Sequence, residues 1–323
     1  MSRHPAHLPC LASRAGLGLL LAACALGAGA APPDAGSAAS LREQHRKLAG
    51  QLASSPLRRP VHLESAETDS GLQGDVYAVV DHPLEQVRAA LADGAQWCEM
   101  LLLHINNRRC RLSRTAAPKA DSTAAAGEGT PVSRQPEGET LTLSVVPRYD
   151  KPVEDAFELS FVHRVVETSR DYLEVRLSAE SGPLGTSNYR VTLEAVPLGE
   201  RQTFLHFRYA YDHNMVARLA TMAYLATFGS HKMGFTVTGK TPGGEPDYIR
   251  GLRGLTERNA MRYFFALDAY LDGLGTPPPQ RADKRLHRWF EEIEQYPAQL
   301  HEVDLATYLE HKRTDRRRDT GKP

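Results

Sequence analysis

Five successive segments alternate apolar and polar side chains at period two, and no other pattern in the chain restricts its fold so strongly. Residues 140–146 place Leu141, Leu143 and Val145 on one face, and residues 157–165 place Phe157, Leu159, Phe161, His163 and Val165. Residues 172–177 follow with Leu173, Val175 and Leu177, residues 189–195 with Tyr189, Val191, Leu193 and Ala195, and residues 205–211 with Leu205, Phe207, Tyr209 and Tyr211. Polar or glycine-containing turns such as Gly182-Pro183-Leu184-Gly185 separate them. Short alternating strands joined in this way form an antiparallel sheet with one buried face.

The flanks complete an α+β pattern. Residues 72–80 read as a further strand through Val76, Ala78 and Val80, and Asp81-His82-Pro83 opens a helix with Leu84, Val87, Ala90 and Leu91 inward. A second short helix spans residues 94–103, and residues 105–112 return to strand. Residues 116–139 are rich in Ala, Gly, Ser and Pro and read as a surface loop. After Asp212 the period becomes helical over residues 215–228 and again over 256–271, where Ala260, Met261, Phe264, Leu267 and Leu271 share a face. Two more amphipathic helices are expected at 284–296 and 298–311.

The N-terminus predicts export. Arg3 and Arg14 precede an apolar run over residues 15–26, and Ala28-Gly29-Ala30 offers small residues for cleavage, the layout of a signal peptide. Leu21-Ala22-Ala23-Cys24 also fits a lipobox, so Cys24 is a lipidation candidate and the alternative is cleavage after Ala30. The expected organisation is a signal peptide at 1–30, a flexible leader with a weak helix at 31–60, one domain at 61–275, a helical extension at 276–312 and a disordered basic tail at 313–323. Loss of residues 1–30 leaves 37 basic against 39 acidic residues, a balance that gives no general field for nucleic acid. Of the four cysteines, Cys98 and Cys110 survive either cleavage, and an oxidising compartment permits them to pair. A disulfide is the expectation, with two buried thiols as the alternative. The residues around them supply no zinc-type ligand spacing, so no metal is expected.

The order strand, two short helices, about six antiparallel strands and a long helix resembles the START-like (SRPBCC, helix-grip) superfamily over residues 71–273. The residues that carry the resemblance are Gly74-Asp75-Val76-Tyr77-Ala78-Val79-Val80, Asp81-His82-Pro83-Leu84-Glu85-Gln86-Val87 and the terminal helix 256–271. The resemblance implies a curved antiparallel sheet gripping the long helix around a cavity for a hydrophobic small molecule or lipid, used by carriers and by a few aromatase/cyclase enzymes. The stretch 215–248 and the helices after Leu274 depart from that pattern.

Candidate lining residues are Phe161, His163, Tyr189, Phe207, Tyr209, Tyr211, Met261 and Phe264. Aromatic rings supply apolar area, and tyrosine adds a polar tip. His163 is in phase with Phe161 and Val165 and is expected inward, as a core histidine or a ligand contact. His206 and Arg208, out of phase with their neighbours, are expected to face solvent, as are Arg164 and Arg190. Residues 234–241 fit GxxxxGK[ST], yet Pro242-Gly243-Gly244 opposes the helix a phosphate loop requires, so no nucleotide is expected. His301-Glu302 lacks the second histidine of a zincin helix, and no Gly-x-Ser-x-Gly elbow occurs. No catalytic residue and no cofactor is therefore assigned. The expected function is an exported carrier or sensor of an apolar molecule, with Arg316-Arg317-Arg318 as the candidate contact to a membrane surface. The alternatives are a cyclase- or hydrolase-type enzyme using the same cavity, or a protein-interaction module built on the C-terminal helices.

Overall fold

The structure is a computed structural model and describes residues 36–114, 138–227 and 229–320. Cys24 and the expected export segment lie outside the described residues, as does the expected 116–139 loop apart from residues 138 and 139.

In chain order the elements are α1 (Ala38–Ala53), β1 (Val61–Glu67), β2 (Gly71–Val80), α2 (Leu84–Leu91), α3 (Gly94–Leu101), β3 (Asn107–Arg114), β4 (Glu139–Val145), β5 (Phe157–Thr168), β6 (Leu173–Ser181), β7 (Thr186–Leu198) and β8 (Gln202–His213). Then come α4 (Met215–Ala226), β9 (Val237–Lys240), β10 (Pro246–Tyr248), α5 (Gly251–Asp272), α6 (Pro278–Glu294), α7 (Pro297–Leu300) and α8 (Leu305–Thr320). The first eight strands form one antiparallel sheet in the order β1-β2-β8-β7-β6-β5-β4-β3. Strand β2, continuous through Gly74 and Val76, pairs with β8 at Gly74↔Tyr209 and Val76↔Phe207, which aligns the inward residues of the two.

The sheet curves around a helical layer. Helix α5 packs on β1, β2 and β8 near one edge, α3 packs on β3 and β4 at the other, and α3 and α5 pack on each other. Two distant edges can meet one helical layer only if the sheet curls. Gly74 marks the crossing of α5 over β2: a Cβ there would lie 3.0 Å from the Ala260 Cβ. The main core fills this concave side, from Val76 and Leu205 through Leu141 to Phe265 and Leu267. The C-terminal helices close the far side of α5. Tyr308 of α8 donates its hydroxyl to the Leu103 carbonyl (2.8 Å), and Lys312 donates to the carbonyls of His104 and Asn107 (2.6 and 2.7 Å), satisfying backbone acceptors just beyond α3.

Two expectations are corrected and one is filled in. The weak helix expected within the leader is α1, whose Leu41, Leu48 and Leu52 are buried on the outer face of the sheet against Tyr77, Tyr172, Val196 and Phe204. Ser37 caps the helix by accepting from the Ser40 N–H (3.2 Å). The stretch expected as a disordered tail is helical through Thr320, because Asp315 accepts two hydrogen bonds from the buried Arg108 guanidinium (2.6 and 2.9 Å). His206 does sit on the outer face, yet α1 covers it: it is buried between Asp75 (2.7 Å) and Glu194 (2.8 Å). No helix among the described residues is long and apolar enough to cross a membrane.

Candidate functional site

Alternation along β7 and β8 turns Tyr189, Tyr209 and Tyr211 toward α5. Their rings form one group, with Tyr189 stacked on Tyr211 at 5.3 Å and Tyr209 placed 5.7 Å from Tyr211. Phe161 of β5 meets Tyr189 edge-on at 6.2 Å. Helix α5 adds Tyr263, 5.5 Å from Tyr209, and Tyr263 in turn stacks on His104 at 4.7 Å. The sequence reading passed over Tyr263 and His104. Tyr263 lies seven residues after Thr256 and three after Ala260, so the helical stripe facing β2 could have revealed it; His104 lies in a turn with no periodicity to read.

The polar tips of these rings are unequally satisfied. Tyr189 donates to Thr186 Oγ1 (2.9 Å). Tyr209 is 8% exposed, and its hydroxyl has no hydrogen-bond partner among the described residues. His104 Nδ1 accepts from the Asn106 N–H (3.2 Å), which leaves the ring proton on Nε2, where it is buried without a partner. Burial pushes the Tyr209 phenol well above its ordinary pKa and the Tyr263 phenol up to about 12. Burial, reinforced by Arg262 and Lys312, pulls His104 well below its ordinary value. The group therefore offers neutral donors inside an aromatic wall: it can orient a single polar atom on an apolar molecule.

The remaining candidates are distributed differently. Phe207, Met261 and Phe264 are 1%, 0% and 0% exposed and act as packed core. Phe264 turns to Phe265 and to the Arg59 guanidinium, 5.3 Å above its ring. His163 is inward as expected, but its neighbours are Trp97 (6.3 Å) and the Glu139 carboxylate, 3.2 Å from Nδ1. Its Nε2 is sealed and unpartnered, and burial lowers its pKa against the opposing pull of Glu139. Cys98 and Cys110 form a disulfide with 5.4 Å between Cα atoms.

One end of the tyrosine group is closed by the β6–β7 turn and α4. A Cβ on Gly182 would lie 2.4 Å from the Tyr189 ring, and Gly185, at φ +82°, would there touch Asn214, whose Oδ1 caps α4 by accepting from the Ala217 N–H (2.8 Å). Leu225 of α4 is buried in the same core as the tyrosines. The other side of α4 is open: Met215, Val216, Leu219 and Met222 are 66%, 74%, 58% and 48% exposed.

A helix lying in the concave face of this strand order settles the fold. The chain has a helix-grip fold. No protein-family model matches the chain, and no curated protein matches it in sequence. Among solved structures it is similar to norcoclaurine synthase of Thalictrum flavum (17% identity, TM-score 0.30, 51% of this chain and 93% of that one). It is also similar to a START superfamily protein of Mycobacterium smegmatis (14%, TM-score 0.30, 48% and 91%) and to human StAR-related lipid transfer protein 5 (10%, TM-score 0.30, 79% and 97%). The gripping sheet is extended by α1 outside, α4 with β9 and β10 before the gripping helix, and α6 to α8 after it.

Two further constellations bear on ligand chemistry. Asp268, Asp272 and Glu292 bring ligand atoms within 4.8 Å of one another, yet guanidinium groups already stand among them. Arg59 is 2.7 Å from Asp268 and 3.3 Å from Glu292, and Arg288 is 2.7 Å from Asp272 and 2.8 Å from Glu292. The GxxxxGK[ST] stretch runs into β9, the first strand of the β9–β10 hairpin, in place of a loop and helix, and its Phe235 and Thr236 N–H groups donate to the Glu257 carboxylate (2.7 and 2.9 Å). The chain's own acid thus occupies the donors a phosphate would need.

Proposed function

We propose that this protein binds an apolar small molecule or lipid, bearing one polar group, between the sheet and α5, and that it does so as a non-catalytic carrier or sensor. The reading is carried by the Tyr209 hydroxyl, a donor without a partner inside a wall of rings. A neutral phenol next to apolar surface recognises a hydroxyl, carbonyl or ester oxygen, and it contributes little where no such atom is bound. Helix α4 supplies the route: one face lies on the aromatic core, and the opposite face is apolar and open, suited to a membrane surface. The export segment at residues 1–30 belongs to the same proposal, with the protein working in the periplasm, free or held to a membrane through Cys24.

The enzymatic alternative draws on the Glu139–His163 pair. Its Nε2 is sealed from solvent, so a substrate atom reaches it only after side chains move. Native mass spectrometry of the purified chain, followed by organic extraction, tests the carrier reading. The expected result is a co-purified apolar compound whose affinity falls roughly tenfold in Tyr209→Phe. A chain that takes up no compound from any lipid class overturns it.

A further inference from the structure

A second hollow lies outside the sheet–helix interior. It is a cleft of about 470 Å³ between α3, β3, α6 and α8, within the size range of small-molecule sites. Its apolar wall is built by Leu102, Leu103, Leu286 and the Cys98–Cys110 disulfide. Among the described residues, Arg108, Arg281, Arg285, Lys312 and Arg316 line it together with two acids, Glu99 and Asp315.

Both acids are engaged. Asp315 holds Arg108 through two bonds, and Glu99 accepts from Arg285 Nη1 (2.7 Å) while that guanidinium stacks 3.6 Å above the Tyr270 ring. Lys312 is buried and donates only to the carbonyls of His104 and Asn107. Arg281 is half-buried and donates from Nε to the Thr276 carbonyl (3.1 Å). Among the described residues no carboxylate lies within 4.0 Å of the Lys312 ammonium or the Arg281 guanidinium. Burial, with Arg108 adding to it and Asp315 opposing it, pushes Lys312 down to about 7. A buried cation without a counter-ion is costly, and an anion brought into the cleft supplies the missing charge.

We propose that this cleft is a second binding site, for a small organic anion whose apolar body lies on the leucine and disulfide wall and whose charged group meets Arg281 and Lys312. The chemistry is that of a carboxylate on a short hydrocarbon. The C-terminal helices thereby gain a role that the gripping sheet does not require, since α6 and α8 contribute Arg281 and Lys312.

The experiment is isothermal titration of the full chain with decanoate and with decanol, equal in chain length and different in charge. The expected result is that decanoate binds at least about tenfold more tightly than decanol. Arg281→Glu then weakens decanoate by at least about tenfold while decanol affinity and the melting temperature stay unchanged. Arg281→Gln serves as a second variant, with a smaller loss in the same direction, should the charge reversal fail to fold. No decanoate binding, equal affinity for the two probes, or decanoate binding that survives both Arg281 variants overturns the proposal. The last outcome, combined with loss of binding in Tyr209→Phe, places the probe among the tyrosines and leaves the carrier reading standing without the second site.

Discussion

Replacing Leu219 and Met222 by glutamate tests whether α4 meets a membrane. The four open side chains of α4 are between 48% and 74% exposed, which leaves about two and a half side chains' worth of apolar surface for a bilayer to cover. Full burial of one such side chain is worth about 1.5–3 kcal/mol, so the helix carries roughly 4–7 kcal/mol of insertion energy. Leu219 and Met222 hold nearly half of it. The double variant therefore loses about 1.5–3 kcal/mol of burial on neutral phosphatidylcholine vesicles, and about 1 kcal/mol more per added charge on vesicles containing phosphatidylglycerol. Co-sedimentation of the full chain with vesicles measures this: binding to anionic vesicles is expected to weaken by about a hundredfold or more. The folded state should be indifferent, since both side chains already stand in water, and an unchanged melting temperature checks that. A folded double variant that binds both vesicle types within threefold of the parent refutes the reasoning.

Leu48→Ala, in α1, is expected to lower stability in urea by about 2–5 kcal/mol, because Leu48 is packed on Phe204 and its neighbours; a flexible leader would lose nothing. His206 should make stability fall on the alkaline side. Burial opposes its protonation, but the hydrogen bonds it donates to Asp75 and Glu194 outweigh it and raise the pKa above 6.5, so the stabilisation is complete below that value and is lost as pH rises through the raised one. His206→Gln is expected to flatten that limb of a urea-midpoint profile. Glu302 acts in the opposite sense. Burial works to raise its pKa, but Arg262, Lys232 and Arg258 hold it at about 2, so its stabilisation of about 3 kcal/mol is present above pH 4.5 and is lost as pH falls toward 2. Glu302→Gln should remove the acid limb and lower stability at pH 7 by a similar amount, as read from equilibrium unfolding.

The strands of the sheet were legible because one face of each is buried and the alternation survives in the sequence. Segments with less alternation were not. Val61–Glu67 reads Val-His-Leu-Glu-Ser-Ala-Glu, and it is a strand because its backbone completes the edge beside β2 in register from Val61↔Ala78 to Glu67↔Leu72. The outer face misled in the same way. His206 alternates with the inward residues of its strand and so was expected to face solvent, and only the distant Leu41, Leu48 and Leu52, packed on Tyr77 and Phe204 of the same face, decide that this face is covered. A period reports which residues share a face, and it is silent on what packs against that face.

The same distinction explains why the aromatic group was found and the cleft was not. Tyr189, Tyr209 and Tyr211 lie on adjacent strands, so strand phase alone brings them together. The cleft joins Leu102 and Arg108 to Arg281 and Lys312, residues as much as about two hundred positions apart, whose meeting depends on how α6 and α8 dock. That docking is fixed by polar contacts to backbone carbonyls and by the Arg108–Asp315 pair, and a lysine in a basic, low-hydropathy helix gives no sign of which carbonyl it will reach. Charge surplus is a property of three-dimensional neighbourhoods: the chain is neutral overall, with 39 basic and 39 acidic residues, yet among the described residues five cationic side chains share one cleft with two carboxylates. A site of that kind becomes visible only when the partner of every buried charge has been named.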